Sequence, residues 1–260
     1  MESTNFSFSA RKKPVLEVCV DSILSAVAAE KGGAQRVELC SGLSEGGLTP
    51  SYGLIKIVRK SINIGLHVLI RPRRGDFLYS ELEVEIMKRD IEVAKELGAD
   101  GVVVGALKPD GQVDVELMQS FMAVAKPLSV TFHRAFDVTP DPYKALNDLI
   151  ELNVDRLLTS GQQGTALEGA ALISELIERA GNNLTVMPGS GVNERNMQEL
   201  LKLTGATELH TSARKKIASD MLFRRDNLPM AGMQQLSEYE SLVADEQKIT
   251  TICRLAEAEI

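Results

Sequence analysis

Two short stretches each place a carboxylate beside a thiol. In VLEVCV, Glu17 stands two residues before Cys19, and in RVELC, Glu38 stands two residues before Cys40. Both stretches read as strands, and alternate residues of a strand share a face. Each glutamate therefore lies on the same side as its cysteine. A neighbouring carboxylate raises a thiol pKa, so Glu17 and Glu38 work against an unassisted thiolate. Arg71, or the charge of a bound metal, would have to offset that penalty.

Other polar residues fall at comparable places. Arg71 ends LHVLIR, His133 and Arg134 end SVTFHR, Thr159 and Ser160 end DRLLTS, and Glu208 and His210 occur in TELH. Two of the three histidines are thus at strand ends; His67, early in its strand, reads as structural. The candidate catalytic residues are Glu17, Glu38, Arg71, His133 and His210, with Glu38 or His133 as general base and Arg71 or Arg73 holding an anion. A structural account stays open beside this one, with Glu17 and Glu38 paired to Arg71 and Arg73 inside the fold.

Two loops are suited to anions. In MPGSGVNERN, Gly189 and Gly191 let backbone amides approach a ligand and Asn193 can cap the following helix; HTSARKK supplies Ser212 and Arg214. Gly189, Gly191, Ser212 and Arg73 are the candidate anion contacts, and an ordinary glycine-rich turn is the alternative. No HExxH, paired CxxC or Walker loop occurs, so the corresponding metalloprotease, zinc-ribbon and P-loop readings lack support.

These residues share a rim only if the elements carrying them close on one another. Eight short apolar runs begin at 15, 36, 66, 101, 129, 155, 184 and 207, spaced 21 to 35 residues apart. Amphipathic stretches fill the gaps, as in SELEVEIMKRDIEVAKELGAD, where Leu82, Ile86, Ile91, Val93 and Leu97 form a candidate core stripe. GGAQR, LGADG and TGATE read as helix ends with left-handed glycine. Regular βα alternation implies parallel strands joined by right-handed crossovers, and eight units in this length predict an α/β fold, the TIM (β/α)8 barrel, with its site at the C-terminal strand ends. The expected organisation is a flexible tail over 1–13 and one barrel domain over 14–260. An irregular excursion follows His210, and a final helix near Leu242 to Ala256 closes the outer ring.

Composition narrows the partners. The chain has 260 residues, 44% hydrophobic and 25% charged, with a net charge of -7. That charge argues against nucleic acid as the main partner, and no apolar run is long enough to span a membrane. The stretch MESTNFSFSARKK lacks the apolar segment of a secretory signal. Three cysteines, an odd count, then read as free thiols in a reducing cytoplasm, with Cys253 a small buried hydrophobe.

LEVCVDS, RVELCSGLSEGGLTPSYG, IRPRRGDFLYS, GADGVVVGAL, VTFHRAFD, RLLTSG and TELHTSA together resemble the CutC copper homeostasis family, from about Leu16 to Ala213. The resemblance implies a TIM barrel, a homo-oligomer (dimer or tetramer), a role in copper handling with Cu(I) binding, and a cytoplasmic location, also nuclear in animals. It places the copper-associated cysteines on Cys19 and Cys40; two thiolates suit soft Cu(I). Three departures stand out. Thr211 occupies the position of a frequent cysteine, Ser190 that of a common glycine, and Gln162 and Gln163 lie in a loop usually richer in glycine. Two functions follow, and neither excludes the other: a Cu(I)-binding protein, or a barrel enzyme acting on a small anionic or phosphorylated molecule.

Overall fold

The computed structural model describes residues 13–225 and 237–257. Eight parallel strands alternate with helices: β1 Val15–Val20, α1 Ile23–Lys31, β2 Arg36–Leu39, α2 Tyr52–Ser61, β3 Gly65–Leu69, α3 Glu81–Glu96, β4 Gly101–Val104, α4 Val115–Ala125, β5 Ser129–Phe132, α5 Pro142–Glu151, β6 Arg156–Thr159, α6 Ala170–Ala180, β7 Thr185–Pro188, α7 Met197–Thr204 and β8 Glu208–Thr211. The sheet runs β7-β6-β5-β4-β3-β2-β1-β8. The β8 strand pairs with β1, opposite Glu17 and its neighbours, and lies against β7; Thr211 Oγ1 donates at 2.6 Å to the Val192 carbonyl in the loop that follows β7. This is the expected barrel.

Local chemistry fixes the helix starts. Ser22, Ser51, Asp114 and Asp141 each accept a hydrogen bond from a first-turn amide, and Ser80 forms a capping box with Glu83. Gly33, Gly98 and Gly205 adopt the left-handed backbone expected after α1, α3 and α7. The α3 stripe differs from expectation. Met87, Ile91 and Ala94 are buried, with Val84 packed beside them, whereas Leu82 and Ile86 face outward. Residues 84, 87, 91 and 94 keep a heptad-like line on one face, and Leu82 and Ile86 fall on the opposite side of the 3.6-residue turn.

After β8 the chain forms an antiparallel hairpin, β9 Arg214–Ala218 with β10 Glu240–Ala244, then α8 Glu246–Glu257. Leu242 therefore sits in a strand opposite Lys216, and not in the last helix. Its alternating neighbourhood, ESLVA, suits a strand. The middle of the excursion lies outside the described residues, as does nearly all of the 1–13 tail. The α8 helix packs between α7 and α1 and completes the outer ring.

Strand alternation sorts the side chains. Leu16, Val18, Val20, Val37, Leu39, Leu66, Val68, Val102 and Val104 belong to the large apolar core under the helices. The opposite set points to the barrel axis: Glu17, Cys19, Arg36, Glu38, His67, Leu69, Val103, Thr131, Arg156, Leu158, Met187, Glu208 and His210. This interior is unusually polar for a barrel, whose axis is commonly filled by branched apolar residues.

Candidate metal centre

Deep in the barrel, Arg36 bridges Glu17 and Glu208, and Arg156 Nε donates to Glu208 at 2.7 Å. Glu17 is fully buried and Arg36 nearly so. Buried charges persist only when paired, and each charge here has a partner of opposite sign. Burial opposes ionisation of Glu17, but Arg36 and His210 outweigh it and hold its carboxyl well below the usual range. His67 Nδ1 lies 3.8 Å from Glu17, and burial lowers its pKa to about 4. Gly101 makes room for that ring, since a Cβ there would stand 2.6 Å from His67 Nε2.

One layer higher, the pairing changes. His210 Nδ1 lies 2.8 Å from Glu17 Oε1, and its Nε2 lies 3.8 Å from Glu38 Oε2. One ligand atom each from Cys19, Glu38 and His210 falls within 4.8 Å of the others. Cys40 adjoins the group, its Sγ 3.7 Å from Cys19 Sγ and also directed at the Val20 carbonyl. Among the described residues this is the cluster whose donors could hold a metal ion. Burial pushes the Glu38 carboxyl up, and the like charge of Glu17 adds to that, against His210. The Cys19 thiol is raised by its hydrogen bond with Cys40, by burial and by Glu38. His210 is the group that works against that rise; burial disfavours its imidazolium, but hydrogen bonds to Cys19 and Glu17 and the field of both glutamates hold its pKa well above the ordinary value. The apo cluster therefore stores protons that a cation would displace.

The structure brings Glu17, Cys19, Glu38, Cys40 and His210 together and leaves other candidates elsewhere. Arg71 does not reach either glutamate. It is buried under the loop after β2, where it donates to the carbonyls of Glu45, Gly47 and Gly75 at 2.9–3.1 Å and lies over Phe77. Arg73 sits outside the barrel on Asp76 and Glu83. The account in which Glu17 and Glu38 pair with Arg71 and Arg73 is thus corrected: Arg36 is the partner of Glu17. His133 is buried at the head of β5, where its Nδ1 accepts from the Ala135 amide and its ring packs on Phe77. Burial and the charge of Arg71 bring its pKa down to about 3. Gly189 serves close packing, since a Cβ would come within 2.4 Å of Leu158 and 3.2 Å of His210. Gly191 and Ser212 line a cleft of about 380 Å³ that reaches Cys19 and His210.

Sequence reasoning missed Arg36, Arg156 and the partnering role of Glu208. A signal for Arg36 existed: in RVELC, positions 36, 38 and 40 share one strand face, so Arg36 enters the barrel with Glu38.

The fold and the mouth cluster define a (β/α)8-barrel protein with a candidate cation site at its C-terminal rim. The CutC family model matches residues 14–215, and the chain belongs to the CutC family. It is 53% identical over 242 residues to the copper homeostasis protein cutC homolog of Homo sapiens, covering 93% of this chain and 89% of that one. It is 52% identical over 238 residues to a CutC family protein of Parabacteroides distasonis, covering 91% and 98%. The solved CutC structure from Streptococcus agalactiae superposes with a TM-score of 0.74 at 35% identity, covering 76% of this chain and 98% of that one.

Proposed function

We propose that the mouth cluster binds Cu(I) as cargo, with Cys19 and Cys40 as thiolate ligands and His210 and Glu38 beside them. The observation that carries this reading is the pair of buried sulfurs 3.7 Å apart, next to an imidazole and a carboxylate. Two sulfurs each about 2.3 Å from a shared ion, the zinc–thiolate distance, subtend a near-tetrahedral angle at that separation. Such an angle leaves room for further donors, and His210 and Glu38 are the nearest. Soft thiolates favour Cu(I) over hard cations. The names of the human and mouse relatives point the same way. Loading costs the protons of Cys19, Cys40 and His210, so affinity rises with pH.

An anaerobic Cu(I) titration against a competing chelator tests this. The Cys19→Ala/Cys40→Ala variant is expected to lose affinity by at least a hundredfold, and equal affinity of variant and wild type would end the proposal. Free buried thiols suit a reducing compartment, so we place the protein in the cytoplasm; the nucleus offers the same chemistry. We also propose a homo-oligomer, dimer or tetramer, checked by light scattering.

A second reading has its own support. The cleft over Cys19 and His210 is large enough for a small molecule. In an enzyme of this design Glu38, with its raised carboxyl pKa, and His210 would exchange protons with an anionic substrate, and Glu17 would orient His210. Gly191 and Ser212 would line the anion's path. Turnover screens with phosphorylated and carboxylate metabolites test it, and loss of any activity found on Glu38→Gln would support it.

A further inference from the structure

The cleft over the cluster gathers positive charge in a chain whose net charge is -7. Arg134 enters from the loop after β5, Arg214 from the start of β9, and Lys248 from α8. Arg134 spends one edge of its guanidinium on Asp137, at 2.7 Å, and on Ser160, at 2.8 Å. Its Nη1 has no partner among the described residues. Lys248 donates to the Arg214 carbonyl at 2.9 Å, which ties α8 to β9 and leaves two ammonium protons for a ligand. Arg214 forms no ion pair among the described residues; the half-buried carboxyl of Asp21 is the nearby charge that feels it. Glu194 is the carboxylate in the lining, against three cations.

The backbone adds a second observation. Four described non-glycine residues have left-handed φ: Asn153, Gln162, Ser190 and Ala213. Ser190, at 79°, and Ala213, at 39°, both line this cleft. Unfavourable backbone of this kind persists where the surroundings enforce it, and it clusters at ligand sites.

We propose that the cleft binds a small organic dianion, a phosphate ester or a dicarboxylate, with its charged end between Arg134, Arg214 and Lys248 and its other end over Cys19 and His210. Guanidinium forks match both kinds of oxyanion, and an ammonium adds a point charge. The inference rests on the anion reading of the mouth and does not require the metal. It also gives the C-terminal segment a role. Lys248 lies beyond residues 14–215, the part matched by the family model, so α8 completes a site that the barrel begins.

The test uses the full chain stripped of metal with a chelator. Inorganic phosphate and malonate are titrated calorimetrically, with chloride at matched ionic strength as the reference. Saturable binding of phosphate or malonate is expected, and the stronger of the two names the ligand class. Arg214→Gln and Lys248→Gln should each weaken it severalfold, and the double variant at least tenfold. Thermal unfolding in chloride shows whether a variant folds, and Lys248→Arg should restore most of the affinity lost in Lys248→Gln. Cu(I) affinity of the double variant should stay within twofold of wild type, which separates this site from the thiol site. Absence of saturable binding above chloride in wild type, or undiminished binding by a folded double variant, overturns the proposal.

Discussion

Glu17 and Glu38 occupy adjacent strands of one barrel interior, one layer apart, and their environments push them in opposite directions. Glu17 faces Arg36 and His210 and stays ionised deep in the fold. Glu38 shares His210 at a longer distance, feels the negative charge of Glu17, and is pushed toward its protonated form. The lower layer is a closed account of charge, with Glu17, Arg36, Glu208 and Arg156 satisfying one another. The upper layer holds two thiols and a carboxyl whose one positive group, His210, is shared with Glu17 below. A barrel interior can therefore be polar for two reasons, one structural and one chemical, and pairing distinguishes them.

The sharpest way to break the contrast is to unpair the lower layer. Arg36→Leu leaves Glu17 fully buried without its guanidinium, and Glu208 with Arg156 alone. Removing one partner of a buried pair costs about 3–5 kcal/mol. Urea unfolding at neutral pH should show that loss. A cost below 1 kcal/mol would mean that water or a neighbour compensates Glu17, and the lower layer would not be the stabilising one.

Acid should also act on the lower layer before it acts on the carboxylates. His67 titrates about 4 in the fold against an ordinary value of 6.5. Its folded pKa is depressed, so the unfolded chain takes up the proton first. Stability is full above 6.5 and falls as pH drops toward 4. Between pH 7 and pH 5 this amounts to about 2 kcal/mol for His67. His133, lowered to about 3, adds in the same direction. Glu17, also depressed, contributes its loss only below its ordinary value of 4.5. His67→Gln should lessen the fall in unfolding free energy from pH 7 to pH 5, leaving the share carried by His133; an unchanged slope would assign acid sensitivity elsewhere.

The barrel was legible because eight apolar runs repeat at crossover spacing, and because capping residues such as Ser22, Ser80 and Asp141 mark where helices begin. Glu17, Cys19, Glu38, Cys40 and His210 were legible as a group because strand ends on alternating segments must converge in a closed ring. Arg71 and Arg73 were misplaced as partners. Their loop is long enough to turn away, and a guanidinium can satisfy itself on carbonyls, as Arg71 does on Glu45, Gly47 and Gly75. No local pattern announces such a cradle. Lys248 was invisible for another reason. Its place at the cleft depends on α8 docking beside β9, some 35 residues of chain after that strand begins.

The smallest effect sharpens the upper layer. Cys19, Glu38 and His210 form the compact three-donor group, and Cys40 stands at its edge through one sulfur contact. A borderline ion such as Zn(II) accepts sulfur, nitrogen and oxygen donors together, whereas Cu(I) prefers sulfur. Cys40→Ala, a change of small volume at a buried site, should therefore spare Zn(II) affinity within a few-fold. It should weaken Cu(I) by about tenfold more, a difference of about 1.4 kcal/mol. Cys19→Ala should weaken both ions, because its sulfur belongs to the three-donor group and also stands beside Cys40. Parallel competition titrations of the two single variants with both metals measure the ratio. Equal losses of Cu(I) and Zn(II) in Cys40→Ala would place Cys40 inside the ligand set for either ion, and the upper layer would then be a four-donor site without preference for the softer metal.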